Sequence, residues 1–318
     1  MDAACAAGSG VLGMIGEGGE VLVVQFLHPG RECVPAAGVS VVGWNRGEHR
    51  RKFLRVAGRC VDASGVVRSG VLGIWAEWEA QSRVLERRSG PAGPLPRFVY
   101  QPLLARSEHA AGQNTDPFVF GPVFLFSNCR QFSHQLNPTR LQQLPPGSLL
   151  LFGSQLDGQF VLDTVRAPYL IGQPDQPPGG PVAAAFSVAT LEPLAALPRF
   201  QGRTAQLYRG ATYQDRGNGQ MFSFVPARLD GARFPRPALP GSRFITPAMT
   251  MGFKITATSL DQVHALWQQI TDHVRSHDLD LAFDLAEPEL LPHDPTDPPT
   301  EPAKPAPATC APARRQRC

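Results

Sequence analysis

Short β-branched and aromatic runs, each closed by Gly, Pro or Asp, recur along this chain from Glu20 to about residue 256. Residues 21–27 (VLVVQFL) and 39–44 (VSVVGW) are the first two, and both read as strands. Residues 53–61 and 66–78 predict a hairpin around Asp62-Ala63-Ser64-Gly65. Residues 148–153 and 159–165 predict a second, around Leu156-Asp157-Gly158. Residues 98–100, 123–126, 222–225 and 253–256 bring the expected strands to at least nine. One helix stands out. Ser259 precedes Gln262 at capping-box spacing, and Leu260, Val263, Leu266, Trp267, Ile270 and Val274 then share one face. A shorter helix over 133–144 is interrupted by Pro138.

These elements predict an α+β chain, predominantly β, built on a barrel with extra strands and a C-terminal helix. Residues 20–285 are expected to form a single mixed, β-rich domain. The Ala/Gly-rich residues 1–19 read as a flexible N-terminus. Their Gly8-Ser9-Gly10-Val11-Leu12-Gly13 lacks the preceding strand and following helix that a dinucleotide fingerprint needs. Residues 177–181 read as an inserted loop. From Glu287 the chain holds nine prolines in 32 residues with no hydrophobic period, so 286–318 reads as a disordered Pro-rich tail.

Composition narrows the class. Of 318 residues, 31 are Gly and 32 Pro, which disfavours long helical repeats. No apolar run reaches the ~18 residues of a membrane span, and the start of the chain lacks a secretory pattern. Cys5, Cys33, Cys60, Cys129, Cys310 and Cys318 are scattered, which disfavours a zinc site or a disulfide framework. A cytoplasmic protein with no cofactor and no metal is the expectation. The net charge of +3 hides a gradient. Residues 1–254 carry 25 basic against 17 acidic side chains, and 255–301 carry one against ten. A basic body of this kind can meet a polyanion.

Three constellations carry possible chemistry. In Trp44-Asn45-Arg46-Gly47-Glu48-His49-Arg50-Arg51-Lys52, cations for phosphates lie beside an aromatic and an amide, although a solvated loop before a strand has the same composition. In Trp75-Ala76-Glu77-Trp78-Glu79, alternation places Trp75, Glu77 and Glu79 on one face. A partly desolvated Glu77 then gains acid–base value, the plainer reading being glutamates in solvent or paired with Arg. In Asn114-Thr115-Asp116-Pro117-Phe118, an amide can read a base edge, a carboxylate can orient water and a ring can cover a base, though Asn and Asp before Pro are also ordinary turn formers. Asp163, inside an apolar strand, either bonds a neighbouring turn or lines a pocket. Cys129 has no His or Asp partner nearby in sequence, and His264, His273 and His277 are expected to face solvent.

Residues 114–121, 147–154 and 160–165, with 75–79, 208–213 and 219–224, resemble a family of bacterial proteins from phage-defence and nucleotide-modification settings. That family includes a DNA glycosylase acting on glucosylated hydroxymethylcytosine. The passage 144–152 is also similar to the barrel strands of the PUA/ASCH/EVE/SRA group, which hold RNA or flipped bases. The resemblance implies a PUA-like core and an enzyme that flips a modified cytosine out of double-stranded DNA and cleaves its N-glycosidic bond. On that reading Asp116 and Glu77 are catalytic, Asn45, Asn114, Trp75, Phe118 and Tyr208 bind the base, and Arg46, Arg50, Arg51, Lys52 and Arg209 hold the backbone. The rival expectation is a non-catalytic reader that recruits a partner protein through the tail.

Overall fold

The computed structural model describes residues 19–45, 49–90, 93–105, 114–172, 184–196, 202–215, 221–247 and 252–291. Among the described residues it is mostly β with a small helical part, organised in three sheets. One has five strands in the order Ala238–Leu239, Gln159–Arg166, Leu149–Leu156, Val21–His28, Phe253–Thr258. Val21–His28 is its hinge of topology, parallel to Leu149–Leu156 and antiparallel to Phe253–Thr258. The unbroken apolar run of this strand has a physical cause. Val21 and Val23 pack into one core with Leu149, Leu151 and the helix, while Leu22, Val24 and Phe26 pack on the opposite face with Phe126, Phe152 and Tyr208. A strand buried on both faces needs no polar alternation.

The largest sheet is built on the predicted first hairpin, Arg51–Val61 against Val67–Glu77. Its strands Val67–Glu77, Val225–Leu229 and Asp280–Phe283 pair in turn, and Asp280–Phe283 also pairs back onto Arg51–Val61. Four strands therefore close a circuit. Phe98–Leu104 and Ser82–Arg87 extend the sheet beyond it. The third sheet joins Pro168–Gly172, Leu207–Gly210 and Leu125–Phe126.

The helix is Leu260–Arg275. Ser259 Oγ accepts from the Gln262 N–H at 3.4 Å, and Val263, Leu266, Ile270 and Val274 are buried, as the periodicity predicts. In place of a helix over 133–144 there is one 3₁₀ turn, Arg140–Gln143, capped by Thr139; Pro138 lies immediately before the cap. The fold also runs past residue 285. Glu289–Leu290 pairs in parallel with Leu103 and Leu104. The 177–181 loop, the 8–13 glycines and the chain beyond 291 lie outside the described residues. Among the described residues no helix is long and apolar enough to cross a membrane.

Candidate functional site

Strand ends from the two larger sheets meet at a polar cluster. Arg51 opens its strand, Glu77 closes the partner strand, and the ladder sets them opposite one another. His28 closes Val21–His28. Asp163 and Ser154 come from the second hairpin. Arg51 ties the sheets together: Nε donates to Asp163 Oδ2 at 2.7 Å, and Nη1 lies 3.0 Å from Glu77 Oε2. Ser154 Oγ donates to the same Asp163 oxygen, and Arg236 Nη1 lies 3.6 Å from the other.

Glu77 is the hub. His28 Nδ1 hydrogen-bonds its Oε2, and His49 Nδ1 lies 3.1 Å from its Oε1 and 2.9 Å from Glu79 Oε1. Burial alone pushes the Glu77 carboxyl up, but the Arg51 guanidinium and the imidazoles outweigh it and hold the group well below the usual carboxylate range. Hydrogen bonds to Glu77 and then Glu79 raise His49 to about 10, so its ring is charged at neutral pH. The His49 side chain is 42% exposed against 5% for Glu77, which makes it the solvent-facing rim of the cluster. Behind Glu77 a cavity of about 10 Å³, lined by Arg51, Pro117, Val119 and Phe152, has space for about one water.

The opposite end of the cluster is Cys129. Its thiol lies 3.2 Å from His28 Nε2. Its backbone N–H donates to Asp116 Oδ2 at 2.6 Å, and the same carboxylate accepts from the N–H groups of Asn128 and Ser127 at 2.8 and 3.3 Å. Asp116 thus folds residues 127–129 around itself. Its burial outweighs these three bonds and raises its pKa. Thr115 holds the segment from the other side, accepting from the Glu79 N–H through Oγ1 and from Thr190 Oγ1 through its carbonyl.

Glu77 and Asp116 therefore both reach this cluster, linked through His28 and Cys129, with Asn45 and Asn114 close by. The Asn45 backbone N–H donates to Glu79 O, and its buried Nδ2 has no hydrogen-bond partner among the described residues. Asn114 Oδ1 faces Asn128 Nδ2 at 3.5 Å. Arg51 and Lys52 require correction: both are enclosed, one among carboxylates and the other donating to Ala80 O, so neither lies on a phosphate-facing surface. Trp75, Phe118 and Tyr208 are buried as well. Trp75 is covered by Phe53 and Arg236, Phe118 by Phe120 and Phe186, and Tyr208 stacks on Phe126, so none presents a free face to a base. Arg209 sits apart, paired to Asp215 at 3.1 Å; Arg50 is half-buried, and Arg46 lies outside the described residues. Of the helix histidines, His273 turns inward and donates to Ala238 O at 2.8 Å.

Sequence reasoning missed His28 altogether. One signal was available: the apolar strand ends in a polar ring just before Pro29-Gly30. Asp163 both bonds its neighbours and lines the cavity. For metals, His49, Glu77 and Glu79 have ligand spacing, with donor atoms within 4.8 Å of one another. The His49 proton and Arg51 already supply positive charge there, so an ion has to displace that proton. Compared with known proteins, the chain matches no family model, no curated protein and no solved structure.

Proposed function

We propose that this protein is a hydrolase of the base-excising class, acting on duplex DNA. The particular reading is a glycosylase that removes a modified, glucosylated hydroxymethyl cytosine as part of anti-phage defence in the cytoplasm. The observation that carries it is the Glu77–His49 pair. An ionised, almost fully buried carboxylate touches a charged imidazole that opens to solvent. Cleaving an N-glycosidic bond sends the bonding electrons onto the base and leaves positive charge on the sugar. A fixed anion stabilises that charge, and a proton-bearing ring beside it serves the departing base. Water completes the reaction at C1′. Because the cavity behind Glu77 holds only about one water, the base would seat at the rim, beside His49. The closed four-strand circuit fits the PUA-like barrel that the resemblance implies.

The test is base release from duplexes carrying cytosine, hydroxymethylcytosine or its glucosylated form, scored as alkali-labile sites. Release confined to a modified duplex and reduced about 100-fold or more in Glu77→Gln is expected. Tight binding without release overturns the chemistry and makes the protein a reader. Release untouched by Glu77→Gln moves the catalytic carboxylate elsewhere.

A further inference from the structure

We propose that Cys129, His28 and Glu77 form a nucleophilic thiol centre that attacks uncharged electrophilic carbon. This goes beyond the excision reading and does not depend on it. Three residues far apart in sequence, at positions 28, 77 and 129, make one chain of contacts. Glu77 accepts from His28 Nδ1–H, which fixes the tautomer and leaves the Nε2 lone pair pointing at the Cys129 thiol, 3.2 Å away. That is the arrangement nucleophilic catalysis requires: nucleophile, base, and a third group that orients the base. Two further observations separate Cys129 from an inert core thiol. Cys33 and Cys60 are fully buried, whereas Cys129 retains partial exposure, and its partner His28 is 13% exposed. In addition, the Asp116 bonds to residues 127–129 hold the loop that presents the sulfur.

The charge around the sulfur sets the kind of substrate. Asp116 and Glu77 face it on the anionic side, Arg130 and Arg51 lie on the cationic side, and His28 bonds it directly; His49 stacks beyond His28 with ring centres 6.2 Å apart. Burial and the two carboxylates push the thiol up, so its resting form is protonated. The nucleophile is therefore made during attack. The sulfur–carbon bond forms as the thiol proton passes to His28 Nε2, the bond to the leaving group breaks with its electron pair, and the imidazolium returns the proton to that group or to solvent. Two nearby carboxylates repel anionic electrophiles and leave neutral ones unaffected.

Site-resolved alkylation of the full chain tests this without any DNA. Iodoacetamide and iodoacetate are applied between pH 6 and 9.5, and Cys129 labelling is read by peptide mass spectrometry against the denatured chain. The expected result at pH 7 is native labelling by iodoacetamide about tenfold faster than in the denatured chain, with a gain that shrinks as pH rises and the denatured thiol ionises. Iodoacetate should show no such gain. His28→Gln should lose about tenfold in rate at pH 7; Glu77→Gln should lose less, because it removes only the orienting group. Near-ultraviolet circular dichroism checks that each variant is folded, and the wild-type pH profile needs no variant at all. Native labelling no faster than denatured, or an unchanged profile in folded His28→Gln, overturns the centre. Equal gains for both reagents overturn the preference for neutral substrates.

Discussion

Three backbone N–H groups point at one carboxylate in this protein, and that makes Asp116 primarily a builder of its loop. Removing the carboxylate strands three donors in a buried place, each worth about 1–3 kcal/mol when unpaired. Asp116→Ala is expected to lose about 3 kcal/mol in urea unfolding, with Asp116→Asn losing less because its Oδ1 still accepts. An activity loss in the alanine variant therefore reports on the 127–129 loop as much as on chemistry, and Glu77→Gln is the cleaner probe. Single-residue roles were the least legible part of the chain. Arg51 and Lys52 look like phosphate cations by composition, but a β-ladder turns one toward Asp163 and the other toward Ala80. The His28–Cys129 contact spans 101 residues, and no local pattern encodes a meeting at that distance.

At the scale of the element, the second hairpin holds two glycines for two different reasons. Gly158 follows Asp157 in a tight turn where both φ angles are positive, 49° and 76°, and open space surrounds it. Gly158→Ala should cost about 1 kcal/mol, from backbone conformation alone. Gly153 lies where the ladder shifts register, and a Cβ there would stand 2.3 Å from Val161 O and 2.5 Å from the Phe160 ring. Gly153→Ala should cost about 3 kcal/mol. Thermal unfolding of the two variants side by side checks the ordering. Both hairpins and the helix were readable because their signals are local: turn residues, alternation and a cap within a few positions. Ser82–Arg87, Leu207–Gly210 and Asp280–Phe283 were not read as strands. Each is short, and its partner strand is set by the tertiary fold.

For the molecule as a whole, the cluster makes stability depend on pH with a sign that can be worked out. The His49 pKa is raised from 6.5 to about 10 in the folded state. Its stabilisation is therefore complete below pH 6.5 and declines as pH rises toward 10. Lys52, lowered by burial to about 8, acts in the opposite sense, adding stability from about pH 8 upward. Between pH 6.5 and 8 His49 acts without that offset, so the melting temperature should fall over this window, and His49→Gln should flatten the fall. The predominantly β character was visible in the sequence, but the order of the strands was not. The closed circuit explains why, and it also governs how the chain is made. Cys60 and Asp280, on strands that pair directly, lie 220 residues apart. At about 5–20 residues per second of synthesis, the first hairpin emerges from the ribosome roughly 10–40 s before the segment that completes its ring. Through that interval a nascent chain carries an unpaired strand edge beside apolar side chains, an edge that the finished molecule covers with Asp280–Phe283.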